Sequence, residues 1–256
     1  MPFQKVQPEK LSTSVVRQIE LLILRGILRP GERLPSERDL SDRLGVSRPS
    51  LRDAVATLQD RGLLTTHAGS GIFVADVLGS AFSPALIRLF ATHEEAAFDY
   101  LSFRRDIEGL AAERAARLGS DSDLAVIDAI FERMRSSEPR GPEDEADLDA
   151  QFHSAIIEAS HNVVMLHMMR AMFDLLREGV FYNRQVMFQQ NTTRAALMDQ
   201  HRAINDALQA RDPAAARAAV DAHLAFVEQA LGDQRKADRN EAIARQRLLH
   251  EKNQAS

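Results

Sequence analysis

Two groups of residues in this 256-residue chain have types and spacings that can do chemistry. Asp149 and His153 stand four positions apart, so on a helix they lie one above the other on a single face and can grip one ion. Phe152 marks the neighbouring face as buried. His201 and His223 fall on successive helical segments either side of Asp212-Pro213, and an antiparallel pair of helices brings them level. Three imidazoles and one carboxylate suit Zn²⁺, Ni²⁺ or a similar borderline metal, and facing helices are where bundles build such sites. Spacing alone leaves an ordinary alternative open, because a single helical His is commonly a hydrogen-bonded or exposed side chain. His161, His167 and His250 are read that way. The second group is Ser47-Arg48-Pro49-Ser50-Leu51-Arg52, with Arg38 and Arg43 shortly before it. Taken singly, each of these arginines is equally a solvated charge on a small helix.

The composition narrows what these groups serve. With no cysteine there is no disulfide framework, thiolate metal site or Cys nucleophile. No Trp and 5% aromatic residues argue against a stacking platform for single strands. The apolar runs are short and broken by charge, as at Leu21 to Leu24 between Glu20 and Arg25, too short to span a bilayer. The opening MPFQKVQPEKL lacks the apolar core of a secretory signal, so a soluble cytoplasmic protein is expected, with no membrane partner. The net charge of -5 does not suggest nucleic acid until it is divided: residues 1–75 hold 11 Lys/Arg and 8 Asp/Glu, a balance of +3, which leaves −8 for residues 76–256.

The elements that must position the two groups divide the same way, into a mainly α chain. Leu11 to Ile27 repeats apolar residues at helical spacing and ends at Pro30-Gly31. Ser36 can cap a short second helix that stops at Gly45, and Ser47 caps a third, with Pro49 in its first turn, running to about Arg61. Two β-prone runs, Leu63 to Thr66 and Ile72 to Val74, then flank His67-Ala68-Gly69-Ser70-Gly71. Three helices and a small hairpin over 1–75 make a winged helix-turn-helix, whose third helix presents Ser47, Arg48, Ser50 and Arg52 to a major groove. A linker at 76–83 follows. From 84 to 233 the pattern predicts an all-helical antiparallel bundle, with helices near 84–91, 93–118, 122–136, 144–160, 162–188, 192–210 and 213–233. The charged stretch 234–256 reads as a frayed helix or tail rather than core.

The run Gly31-Glu32-Arg33-Leu34-Pro35-Ser36-Glu37-Arg38-Asp39-Leu40, followed by Leu44-Gly45-Val46-Ser47-Arg48-Pro49-Ser50-Leu51-Arg52-Asp53-Ala54, closely resembles the GntR family of bacterial transcription regulators. The resemblance implies that Arg38, Arg48, Arg52 and the wing glycine Gly69 approach double-stranded operator DNA. Some relatives place His directly before that glycine; here Ala68 stands there, with His67 one step earlier. Asp149 to His153, Ala159-Ser160-His161-Asn162, Gln200 to Ile204, Arg211 to Ala216 and His223 are similar to the FCD ligand-binding domain of the FadR subfamily. In metal-containing members the ligands match Asp149, His153, His201 and His223, whereas members that sense fatty acyl chains generally lack this set. Phe152 to Arg184 is similar to regulators of lactate, glycolate and pyruvate metabolism.

The resemblance thus implies a homodimeric repressor or activator, not an enzyme, with a divalent metal whose open positions take a small carboxylate effector. Arg104 matches a family arginine that points into the same cavity and could pair with that carboxylate, with Arg170 and Arg184 as further candidates. The sequence offers Arg104 an i,i+4 surface salt bridge with Glu108 instead. A metal-dependent hydrolase is the competing class, although no HExxH glutamate and no G-x-S-x-G turn is present. In a third reading the metal is purely structural, or is itself the signal.

Overall fold

The structure, a computed structural model, describes residues 10–67, 70–76, 82–136, 141–177 and 191–254. The chain divides into two compact units, Met1–Ala81 and Phe82–Ser256.

In the first unit, α1 (Leu11–Leu24), α2 (Glu37–Leu44) and α3 (Arg48–Asp60) precede the strands β1 (Leu64–His67) and β2 (Gly71–Val74). The first helix ends three residues before the expected Ile27. Gly26, at φ 72°, takes the left-handed conformation, and the N–H groups of Gly26 and Ile27 turn back to the carbonyls of Ile23 and Leu22. This closes the helix with a Schellman cap before the Pro30-Gly31 turn is reached. Ser36 accepts from the Asp39 N–H at 3.2 Å and Ser47 from the Ser50 N–H at 3.3 Å, so both serines cap as expected. Between them Gly45, at φ 64°, makes the tight turn. The strands pair antiparallel, Leu64 opposite Val74 and His67 opposite Gly71. Backbone bonds from Gly31, Leu34 and Val74 stitch residues 31–34 onto β2, an edge the sequence pattern did not anticipate.

The core of this unit joins Val15, Val16, Ile19 and Ile23 of α1 to Leu51, Ala54, Val55 and Leu58 of α3, with Leu64 and Val74 closing it from the hairpin. Leu51 and Leu58 are fully buried, and each such side chain contributes roughly 1.5–3 kcal/mol. One face of α3 is thereby held in the core while Arg48 and Arg52 stay outside.

The second unit holds α4 (Pro84–Thr92), α5 (Glu94–Leu118), α6 (Asp121–Arg135), α7 (Pro142–Ala159), α8 (Val163–Arg177), α9 (Asn191–Gln209) and α10 (Pro213–Gln254). Most boundaries fall within one or two residues of expectation, because they rest on local chemistry. Ser83 caps α4, Ser120 and Asp123 form a capping box on α6, and Asp212 accepts from the Ala215 N–H at the start of α10. The end expected for the last helix at 233 is corrected: α10 is one 42-residue helix. Gly232, Asp233, Asp238 and Asn240 are weak helix formers, but no Pro intervenes and the Arg, Lys, Glu, Ala and Gln residues among them have high helix propensity. From Lys236 onward the described residues are exposed, so charge and exposure there did not mean loss of helix.

The bundle core runs through small residues on α5, with Ala111, Ala112, Ala115 and Ala116 at 0–1% exposure. These let α10 approach closely. At Gly109 an added Cβ would meet Asp221 Oδ1 of α10 at 3.2 Å. Among the described residues, no helix is long and apolar enough to cross a membrane.

Candidate metal centre and nucleic-acid interface

Asp149 and His153 project from one face of α7, His201 from α9 and His223 from α10. All four are buried, at 4%, 1%, 1% and 2% exposure, and each offers a ligand atom within 4.8 Å of the others. His201 Nε2 stands 3.0 Å from Asp149 Oδ1, and His153 Nε2 stands 3.7 Å from the same oxygen. The imidazole centroids lie 4.6 Å apart for His201 and His223 and 5.1 Å apart for His153 and His223. Phe152, fully buried, sets its ring edge-on to His201 at 5.3 Å and limits the tilt of that ring.

The donor set fits a borderline divalent ion. Ligand bonds of about 2.0–2.2 Å place donors a few ångströms apart, which is the spread seen here. A carboxylate removed from water also needs a cation or strong donors, and Asp149 faces imidazoles. Two further side chains orient the histidines. His223 Nδ1 lies 3.0 Å from Gln200 Oε1, and His153 Nδ1 lies 2.6 Å from Glu108 Oε2. An Nδ1–H donated by His223 to Gln200 leaves its Nε2 with the lone pair turned into the cluster, while Glu108 sets its carboxylate beside His153 Nδ1 as a charge partner.

Glu108, on α5, stands against His153 of the cluster, whereas the sequence offers it only as a surface partner for Arg104. It is 1% exposed and accepts from Arg104 Nε and, at 3.3 Å, from Arg104 Nη2. Burial pushes its carboxyl up, but Arg104 and His153 more than offset this, lowering its pKa from 4.5 to about 2. The i,i+4 pair of Arg104 and Glu108 is therefore present, but it is a buried link to His153 and not a surface bridge. Arg104 also stacks over Phe173 at 5.4 Å and Tyr100 at 5.8 Å. Arg170 donates to Glu158 at 2.7 Å and is mostly buried, while Arg184 lies outside the described residues. His161 contacts Asp123 at 3.0 Å and takes no part in the cluster.

In the first unit, Arg38, Ser47, Arg48 and Arg52 are exposed and Ser50, in the first turn of α3, is half-buried. Ser47 and Ser50 share a hydroxyl hydrogen bond of 2.9 Å. Arg52 Nε donates to Glu37 at 2.9 Å, which ties α3 to the first turn of α2. In the wing, His67 packs edge-on against Phe73, with centroids 5.1 Å apart. Gly69 lies outside the described residues.

Residues 11–74 match the pattern of the bacterial regulatory proteins of the gntR family, and residues 99–226 match the FCD domain. Over 226 residues the chain is 37% identical to "Putative L-lactate dehydrogenase operon regulatory protein" of Escherichia coli (strain K12), covering 87% of this chain and 86% of that one. The chain belongs to the GntR family. It is also 34% identical to the Glc operon transcriptional activator of Escherichia coli (strain K12), over 86% of this chain and 88% of the relative. With the HTH-type transcriptional regulator LutR of Bacillus subtilis (strain 168) the identity is 31%, over 82% and 96%. Among solved structures, Streptococcus agalactiae GntR shares the fold at a TM-score of 0.51 and 23% identity, over 86% of this chain and 99% of that one.

As a GntR member the chain is a DNA-binding transcriptional regulator and not an enzyme, so the hydrolase alternative falls away. The GntR match ends at Val74, the last residue of β2, and contains α3 with its arginines. The FCD match encloses all four candidate ligands together with Arg104 and Glu108.

Proposed function

We propose that this regulator senses a small hydroxy- or keto-acid of the lactate, glycolate or pyruvate kind at a metal centre held by Asp149, His153, His201 and His223. The observation that carries this reading is the convergence of four buried donors from three helices within 4.8 Å. The names of the relatives, which concern an L-lactate dehydrogenase operon and a Glc operon, supply the class of acid. A divalent ion bound there, zinc or nickel, would supply open coordination positions for a carboxylate. Arg104, held in place by Glu108, offers the acid a charged donor, and Arg170 and Arg184 are further candidates for that role. On the DNA side, Arg38, Ser47, Arg48, Ser50, Arg52 and Gly69 read operator DNA, with the third helix in the major groove. A homodimer presents two such heads to a near-palindromic site. The acid acts by favouring one packing of the helical unit over another, and so one spacing of the heads.

Calorimetry of metal-loaded protein with L-lactate, glycolate and pyruvate, paired with mobility shifts on promoter DNA flanking its gene, tests both halves. At least one acid binds, and binding is lost in His201→Ala; the mobility shift is lost in Arg48→Ala and Arg52→Ala. Deep burial of the ligands also favours a structural metal, or a metal that is itself the signal. If none of the acids bound while chelation still lowered the melting temperature, that second reading would replace the first.

A further inference from the structure

A narrow cleft opens beside the ligand cluster. As it stands it has room for little more than a water molecule, about 20 Å³, and is lined by Met134, Leu148, Leu197, Met198 and His201, with Glu145 and Arg194. On α9, Arg194, Leu197, Met198 and His201 share one face at i, i+3, i+4 and i+7, so this stripe runs from the cleft to a candidate ligand. On α7, Glu145, Leu148 and Asp149 do the same. The side chains of Arg194 and Glu145 form an ion pair across these two stripes. Arg194 is 47% exposed and Glu145 12%, whereas Leu148, Leu197 and His201 are buried at 6%, 3% and 1%.

We propose that this cleft is the route by which a small anion reaches the His/Asp cluster, and that Arg194, held over it by Glu145, is the cation that first takes the carboxylate. The inference rests on the sensing of a small acid put forward above. Four features carry it. The cleft wall includes a candidate ligand itself, so the route ends where the chemistry is. Among the described residues its lining between mouth and cluster is apolar, so the charge at the mouth decides which ligands enter. Met134 and Met198 are unbranched and adaptable, so the throat can widen without breaking the core. The guanidinium end of the ion pair stays open to solvent while its carboxylate partner is mostly covered, so Arg194 faces an arriving anion. An incoming carboxylate replaces Glu145 as the partner of Arg194, and that exchange opens the mouth.

The test uses full-length protein loaded with Ni²⁺ or Zn²⁺, and two substitutions at the mouth, Arg194→Gln and Glu145→Gln. Metal stoichiometry and circular dichroism first establish that both variants are folded and loaded. Stopped-flow mixing with L-lactate then gives an association rate about tenfold lower in Arg194→Gln, with a weaker dependence on salt, and severalfold higher in Glu145→Gln. Rates within twofold of the parent protein in both variants would overturn the route. If L-lactate, glycolate and pyruvate all fail to bind the parent protein, it is the acid-sensing reading that fails. The route is then read with dipicolinate, a small anionic chelator. Glu145→Gln speeds metal extraction severalfold and Arg194→Gln slows it if the route is right, and unchanged extraction in both rejects it.

Discussion

At Glu108 a carboxylate without access to water serves two neighbours at once, the Arg104 guanidinium and the His153 imidazole. Taking the charge from Glu108 leaves Arg104 buried with its main partner gone, and one-sided loss of a buried pair costs about 3–5 kcal/mol. It also removes the charge beside His153 Nδ1, and loss of such an outer partner typically weakens metal binding about 10–100-fold. Glu108→Gln should therefore show both losses, the first in denaturant unfolding of metal-free protein and the second in competition with a chelator. Wild-type values in both measurements would remove Glu108 from the site. The four candidate ligands were legible because residue type and spacing suggest them and the resemblance to the FCD domain singles out the same four. Glu108 and Gln200 were not legible, since their roles depend on which helix packs against which. The Arg104–Glu108 spacing was visible, but its burial was not, because burial comes from α5 packing into the bundle.

Element boundaries were legible where a side chain stops or starts a helix by itself, as Ser36, Ser47, Ser83 and Asp212 do. They were less so where the backbone decides, as at Gly26, or where nothing intervenes, as along α10 beyond Gly232. The start of α6 illustrates the first kind. Ser120 accepts from the Asp123 N–H, and Asp123 accepts in return from the Ser120 N–H and hydroxyl. Burial raises the Asp123 pKa, but the Ser120 hydrogen bonds and then His161 outweigh it, so the carboxyl sits below its ordinary 3.8. A depressed carboxylate stabilises the fold above its unfolded pKa and loses that contribution as the pH falls through its folded value. Ser120→Ala should cost about 1 kcal/mol near neutrality, and the difference should shrink below pH 4. Urea unfolding of both proteins at pH 7 and pH 3 measures this, and a cost equal at the two pH values would contradict it.

For the molecule as a whole, the charge division of +3 and −8 lies close to the boundary between the two units at Ala81 and Phe82. Each unit has its own hydrophobic core, and the ligand cluster belongs to the second alone. Calorimetry should therefore resolve two transitions. With metal at a thousandfold over its Kd, binding contributes about 4 kcal/mol, so chelation should lower the helical unit's transition by roughly 10 °C. The winged unit's transition should stay in place. Equal displacement of both would mean that the units melt as one.

Gly109 has an effect well beyond its size. Its neighbour on α5 is Glu108, and the α10 residue it admits, Asp221, stands two positions before His223. The missing side chain thus sets the gauge between two rails, one bearing the carboxylate beside His153 and the other bearing a candidate ligand. A single methyl group there would press on the Asp221 carboxylate, which must give by a few tenths of an ångström, two positions before His223. Gly109 thus bears on the candidate metal centre without meeting any of its four side chains.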